Sequence, residues 1–146
     1  MKTIAIGSDH AGFELKEKLT EYLYLKGYSV VDYGTKNTDS VDYPDIIHPL
    51  AYDIHNGKFE MGIILCGTGN GVAMTANKYE RVRAALCWKP EIAELARKHN
   101  DANIISLPAR FLSLSETIMI LEKFLNTDFE GGRHQVRVDK ISKLIQ

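Results

Sequence analysis

FEMGIILCGTGNGVAMTANK, residues 59–78, decides the fold. Residues 59–67 are nearly continuous in apolar side chains, the pattern of a strand buried on both faces. Residues 69–78 begin a helix. Between the two lie Cys66 and three alternating glycines, Gly67, Gly69 and Gly71. A buried strand that passes through a glycine turn into a helix is the repeating unit of a parallel α/β sheet.

The flanking sequence repeats this unit. TIAIGS (3–8) reads as a buried strand. In the stretch that follows, Phe13, Leu15, Leu19, Tyr22, Leu23 and Leu25 recur at mostly helical spacing, and Gly27 ends the pattern. SVVDYG (29–34) reads as a second strand and TKNTDSVDYP as a loop. Pro44 and Asp45 lead into a helix over 45–56, which Pro49 is expected to interrupt early. RVRAALCW (81–88) is strand four, and Pro90 starts the helix PEIAELARKHN. ANIISLP (102–108) is strand five, residues 113–125 form a further helix, and a basic helix spans 133–145 after Gly131 and Gly132. Strands alternating with helices imply right-handed crossovers. The expected architecture is a Rossmann-like three-layer α/β/α domain over 1–146, with a five-stranded parallel sheet and an extra C-terminal helix. Ligands of such sheets bind at the carboxyl ends of strands. That singles out Ser8-Asp9-His10, Cys66-Gly67-Thr68, Trp88-Lys89 and Pro108-Ala109-Arg110.

Composition narrows the function classes. The chain has 146 residues, 45% apolar and 25% charged, with a formal net charge of −1. No overall field draws it to nucleic acid or an acidic membrane. No apolar run approaches the roughly 18 residues that a bilayer span needs. The N-terminus has a short apolar run ended by Asp9, a poor signal peptide. Two cysteines without a C-x-x-C spacing do not make a disulfide framework, so a reducing, cytoplasmic setting is expected.

The glycine loop carries the chemistry. Glycines let backbone N–H groups face a ligand, and the helix start adds partial positive charge. An anion or a developing oxyanion suits such a loop. Beside it, Cys66 is either a small apolar filler at a strand end or an activated base or nucleophile. Three phosphate-binding patterns fail at the same residue. The dinucleotide fingerprint needs glycine at position 72, the phosphate loop likewise, and a cysteine phosphatase needs arginine there; Val72 occupies it. Cys87 has no glycine loop and reads as structural. His99 ends a helix, where histidine also serves as a cap. Arg133 and Arg137, four apart, share a helical face suited to a phosphate dianion, a solvated surface or a contact between subunits. His48, His55 and His134 have no spacing that suggests a metal site with Cys66, and none is expected.

IGSDHAGFELK, DYGT, VDYPD, CGTGNGVAMTANK, RAAL, ARKHNDANI and GGRHQVRV, in this order, resemble the ribose-5-phosphate isomerase B family, which includes the galactose-6-phosphate isomerase subunits. The resemblance covers essentially the whole chain. It implies an aldose–ketose isomerase acting on ribose 5-phosphate and ribulose 5-phosphate, with no metal and no cofactor. It assigns proton abstraction to Cys66 and ring opening to His99. Asp9 and His10 match the substrate-binding pair, and Gly67, Thr68, Gly69, Asn70 and Gly71 match the anion-holding loop. Asn100, Arg110, Arg133 and Arg137 match other ligand contacts. The Thr68 hydroxyl is a candidate proton shuttle between the sugar oxygens. The resemblance also implies a homodimer or a dimer of dimers with composite sites, His99 and Arg110 coming from the neighbour of the chain that supplies Cys66. A six-carbon aldose 6-phosphate of allose or galactose type is the alternative substrate, and a non-catalytic sugar-phosphate sensor the alternative function.

Overall fold

The computed structural model describes residues 2–146. Five strands, β1 (Thr3–Ser8), β2 (Ser29–Asp32), β3 (Gly62–Cys66), β4 (Ala84–Leu86) and β5 (Ile104–Pro108), form one all-parallel sheet in the order β2-β1-β3-β5-β4. Six α-helices accompany them: α1 (Phe13–Leu25), α2 (Tyr43–His55), α3 (Asn70–Ala76), α4 (Pro90–Asn100), α5 (Leu114–Leu125) and α6 (Arg133–Ile141). The expected α/β architecture with its additional C-terminal helix is present.

The apolar residues divide by strand parity into two cores, because successive side chains of a strand point to opposite faces. Ile63 and Leu65 of β3 join Ile4, Ile6, Ile105 and Leu107 beneath α1, α4 and α5. Ile64 and Cys66 join Ala5 and Ile104 beneath α2 and α3. Cys66 is thereby aimed toward the start of α3. The chain leaves β1 for one face and β3 for the other, and this reversal opens a crevice between the ends of the two strands.

Several boundaries differ from the sequence expectation. The helix expected over 45–56 begins at Tyr43 and runs through Pro49 without a break. An interior proline costs about 3 kcal/mol. Burial of Ile47, Leu50 and Ile54 on the same helix offsets it, at about 1.5–3 kcal/mol per side chain. Strand four, expected over 81–88, pairs only over Ala84–Leu86. It lies at the sheet edge and has a single neighbour, β5, to set its length. The last helix ends at Ile141 rather than at 145. Only His134 and Val138 of it are buried, so nothing packed extends the helix beyond that face.

Candidate active site

Sheet register brings the first group of candidate residues together. Ser8 is level with Leu65, and Cys66 with Pro108. The residues that follow β1, β3 and β5 must therefore emerge side by side. Asp9, His10, Ala11, Tyr43, Cys66, Gly67, Thr68, Gly71 and Arg110 line one pocket of ≈ 340 Å³. A larger cavity of ≈ 1060 Å³ lies elsewhere, between the α3–β4 connection and the C-terminal tail. It holds Asn100 but none of the groups gathered around Cys66.

The glycine loop is built to a tight specification. Gly69 has φ +75°, a left-handed conformation that costs a side-chain-bearing residue about 1–2 kcal/mol. A Cβ there would stand 2.5 Å from Leu86 Cδ1 and 3.2 Å from the Leu107 carbonyl carbon. The turn directs the Gly69 N–H at Cys66 Sγ, 3.2 Å away, a contact that stabilises negative charge on sulfur. The buried Ser106 hydroxyl donates to the Gly69 carbonyl at 2.6 Å and locks the turn from beneath. The Asn70 N–H donates to Thr68 Oγ1 at 3.2 Å. Gly71 gives room for Tyr43, whose ring would lie 2.5 Å from a Cβ at that position.

The two thiols differ in surroundings. Cys66 is 6% exposed, lines the pocket and accepts an amide hydrogen bond. Cys87 is fully enclosed, and burial pushes its thiol up to about 12. Its thiol donates to the Ala85 carbonyl at 3.5 Å, within the apolar cluster beneath α1, α4 and α5.

Opposite the loop, Asp9 Oδ1 accepts from the Ala11 and Gly12 amides at 3.0 and 3.3 Å. This cap fixes the carboxylate at the pocket wall. His10 Nδ1 accepts from the Val41 N–H at 3.2 Å, which leaves Nε2 as the donor of the neutral ring. Arg110 corrects one expectation. It was expected from a neighbouring chain, yet its guanidinium lies against Gly67 of its own chain, with Nη1 3.1 Å from where a Cβ would stand. The cause is the β3–β5 pairing, reinforced by the Arg110 N–H donating to the Gly67 carbonyl at 3.1 Å. Among the described residues, no carboxylate pairs with Arg110, so its charge stays available to a ligand.

The remaining candidates stand apart. His99, Asn100, Arg133 and Arg137 do not line the Cys66 pocket of the same chain. His99 and Asn100 end α4, and α6 packs against that helix. The ring of His134 stacks on that of His99, centroids 4.2 Å apart and planes 11° apart. His134 Nε2 lies 3.5 Å from Glu130 Oε2. Burial, then His99 and Arg133, hold the His134 imidazole below the usual histidine range, and Glu130 opposes them. His99, Glu130 and His134 offer ligand atoms within 4.8 Å of one another. The rings are nearly parallel, however, so their in-plane lone pairs run side by side instead of converging on one ion. Arg133 and Arg137 are exposed on α6 without a carboxylate partner among the described residues.

Sequence reasoning missed Tyr43, Ser106, Glu130 and His134. Tyr43 is the residue that needs Gly71, but only the fold pairs them. Ser106 stands out afterwards as a serine in an otherwise apolar strand.

Comparison with known proteins agrees with this geometry. Residues 4–141 match the ribose/galactose isomerase family model. Ribose-5-phosphate isomerase B of Escherichia coli (strain K12) is 40% identical over 146 residues, covering 100% of this chain and 98% of that protein. A ribose 5-phosphate isomerase structure from Thermotoga maritima superposes with TM-score 0.96 at 48% identity, covering 98% of this chain and 99% of that one. Ribose-5-phosphate isomerase B from Mycoplasma genitalium, solved with bound ribulose-5-phosphate, gives TM-score 0.92 at 45% identity over 97% of this chain and 94% of its own. The chain belongs to the ribose/galactose isomerase family.

Proposed function

We propose that this protein interconverts D-ribose 5-phosphate and D-ribulose 5-phosphate, with Cys66 as the base. The observation that carries the reading is the Cys66 sulfur, set in a pocket, receiving the Gly69 amide and faced by the unpaired Arg110. Its relatives named for this reaction, one of them solved with the ketose bound, support the substrate.

The reaction asks four things of the site. Ribose 5-phosphate is a closed ring, so the C1–O4 bond must break first. The His99 imidazolium donates its proton to O4, while the O1 proton passes to the Asp9 carboxylate, whose Oδ1 is already held by two amides. The Cys66 thiolate then takes the C2 proton, and the electron pair forms a cis-enediolate. Backbone N–H groups of the glycine loop hold the new negative charge, worth about 10²–10³ in rate per donor in other enzymes. Thr68 Oγ1 relays the O2 proton to O1. The Cys66 thiol returns its proton to C1, the ketose is complete, and solvent carries the proton held by Asp9 back to His99 before the next turnover. No redox partner is needed, and we assign none and no metal. Phosphate held by arginines supplies binding energy remote from the reacting carbons.

The site is completed by a second copy of the chain in a homodimer. His99, Arg133 and Arg137 lie outside the Cys66 pocket, and Phe111, next in sequence to Arg110, and Trp88, after β4, are exposed apolar side chains that a second chain would cover. Two free cysteines suit a cytoplasmic home.

Purified protein mixed with ribose 5-phosphate should form ketose at a rate EDTA does not change. No ketose would reject the isomerase in favour of a sensor. Faster turnover of allose 6-phosphate would move the substrate to the six-carbon class. Inhibition by EDTA that a divalent ion reverses would bring a metal into the mechanism.

A further inference from the structure

His99 has an orientation problem. Its two ring nitrogens form no hydrogen bond with protein among the described residues. Histidine χ2 is broad and weakly two-fold, so a half-buried imidazole at a helix end is free to turn. A group that must meet one ring oxygen cannot be left free, since misplacement by about 1 Å can cost 10²-fold in rate. What constrains His99 is a flat surface: the His134 ring, 4.2 Å away and within 11° of parallel.

His134 itself is held. It is 7% exposed, the N-terminal turn of α6 fixes its backbone through a bond to the Gly131 carbonyl at 3.0 Å, and Nε2 faces Glu130 at 3.5 Å. Glu130 is tied to α4 by its own N–H, which donates to the Lys98 carbonyl at 3.1 Å. The ring behind His99 is thus anchored to both helices.

We propose that His134 is the positioning residue for His99: its clamped ring holds the His99 imidazole in the orientation from which it opens the sugar. This rests on the reading of His99 as the ring-opening acid. His134 does not touch substrate; it acts through the stack. A planar side chain of any polarity should therefore replace it, and a non-planar one of similar volume should not.

The experiment compares His134→Phe with His134→Leu, both of which fill the buried slot, so that neither leaves a cavity. Each is assayed for ketose formation from ribose 5-phosphate, which must open, and for deuterium exchange at C1 of ribulose 5-phosphate in D2O, which reaches the enediolate with no furanose to open. His134→Leu is expected to lose about tenfold in kcat on the aldose and less than about twofold in the exchange rate of the ketose, with KM for ribose 5-phosphate unchanged. His134→Phe should recover the aldose rate to within about threefold of wild type. Equal losses on both substrates would overturn the proposal, and so would a His134→Phe variant no better than His134→Leu. His99→Asn is run in parallel to separate the two ideas. If it shows no preference between the substrates, His99 is not the ring-opening acid and the parent reading fails. If it selectively loses the aldose while His134→Leu does not, the reading stands and the positioning role falls.

Discussion

The Cys66 pocket and the His99 cluster are built by opposite means. In the pocket, main chain does the work: three strand ends in register, a left-handed glycine, and amides aimed at a sulfur and a carboxylate. In the cluster, side chains on two packed helices do it: stacked imidazoles, a glutamate and two unpaired arginines. The first arrangement is stiff and tolerates almost no change of residue. The second depends on side-chain packing, with His134 buried and Arg133 and Arg137 exposed on α6. The division suits the proposed chemistry, in which fixed main-chain dipoles stabilise an enediolate and side chains on the helices open the ring and add to the hold on phosphate.

If main chain governs the pocket, its glycine should be the most sensitive position. Gly69→Ala adds a Cβ where φ is +75° and Leu86 Cδ1 would be 2.5 Å away. Shifting the amide from the sulfur should lower kcat by about 10²–10³. Steady-state ketose formation checks this, and an unchanged rate would mean that the turn is only structural. Strain of about 1–2 kcal/mol should also lower Tm by about 2–8 °C.

Mixing inactive variants tests whether the two regions meet across chains. Cys66→Ala and His99→Asn subunits, unfolded and reassembled together, should regain about a quarter of wild-type activity on ribose 5-phosphate. Half of random dimers are mixed, and each mixed dimer has one intact site of two. No recovery in a preparation shown to contain mixed dimers would place both residues in one chain's site.

Acid should act on the cluster through His134, with the smallest effect of the set. The His134 imidazole titrates below its unfolded value in the folded protein, through burial, His99 and Arg133. The unfolded chain then binds more protons as pH falls below about 6.5, so stability is present above that pH and lost through the folded value. Thermal melts from pH 7.5 to 5 should fall less steeply for His134→Phe than for wild type, and parallel slopes would contradict the assignment.

The same contrast explains what the sequence disclosed. The pocket was legible because strand and glycine patterns are local, and Gly67 and Gly69 beside Cys66 mark the turn. Arg110 was misplaced in the partner because only sheet order puts β5 beside β3. Pro49 was read as a break because local propensity cannot see the burial of Ile47 and Leu50. The stack of His99 on His134 joins residues far apart in sequence through helix packing, which no periodicity encodes.

The central claim is that Cys66 carries the proton between carbons, and exchange in heavy water tests it most directly. Wild-type protein given ribose 5-phosphate in D2O should place deuterium at C1 of the ketose and wash it into C2 of recovered aldose, with ketose forming throughout. Cys66→Ala should do neither above background. Deuterium entering at the wild-type rate in Cys66→Ala would show that another group removes the proton.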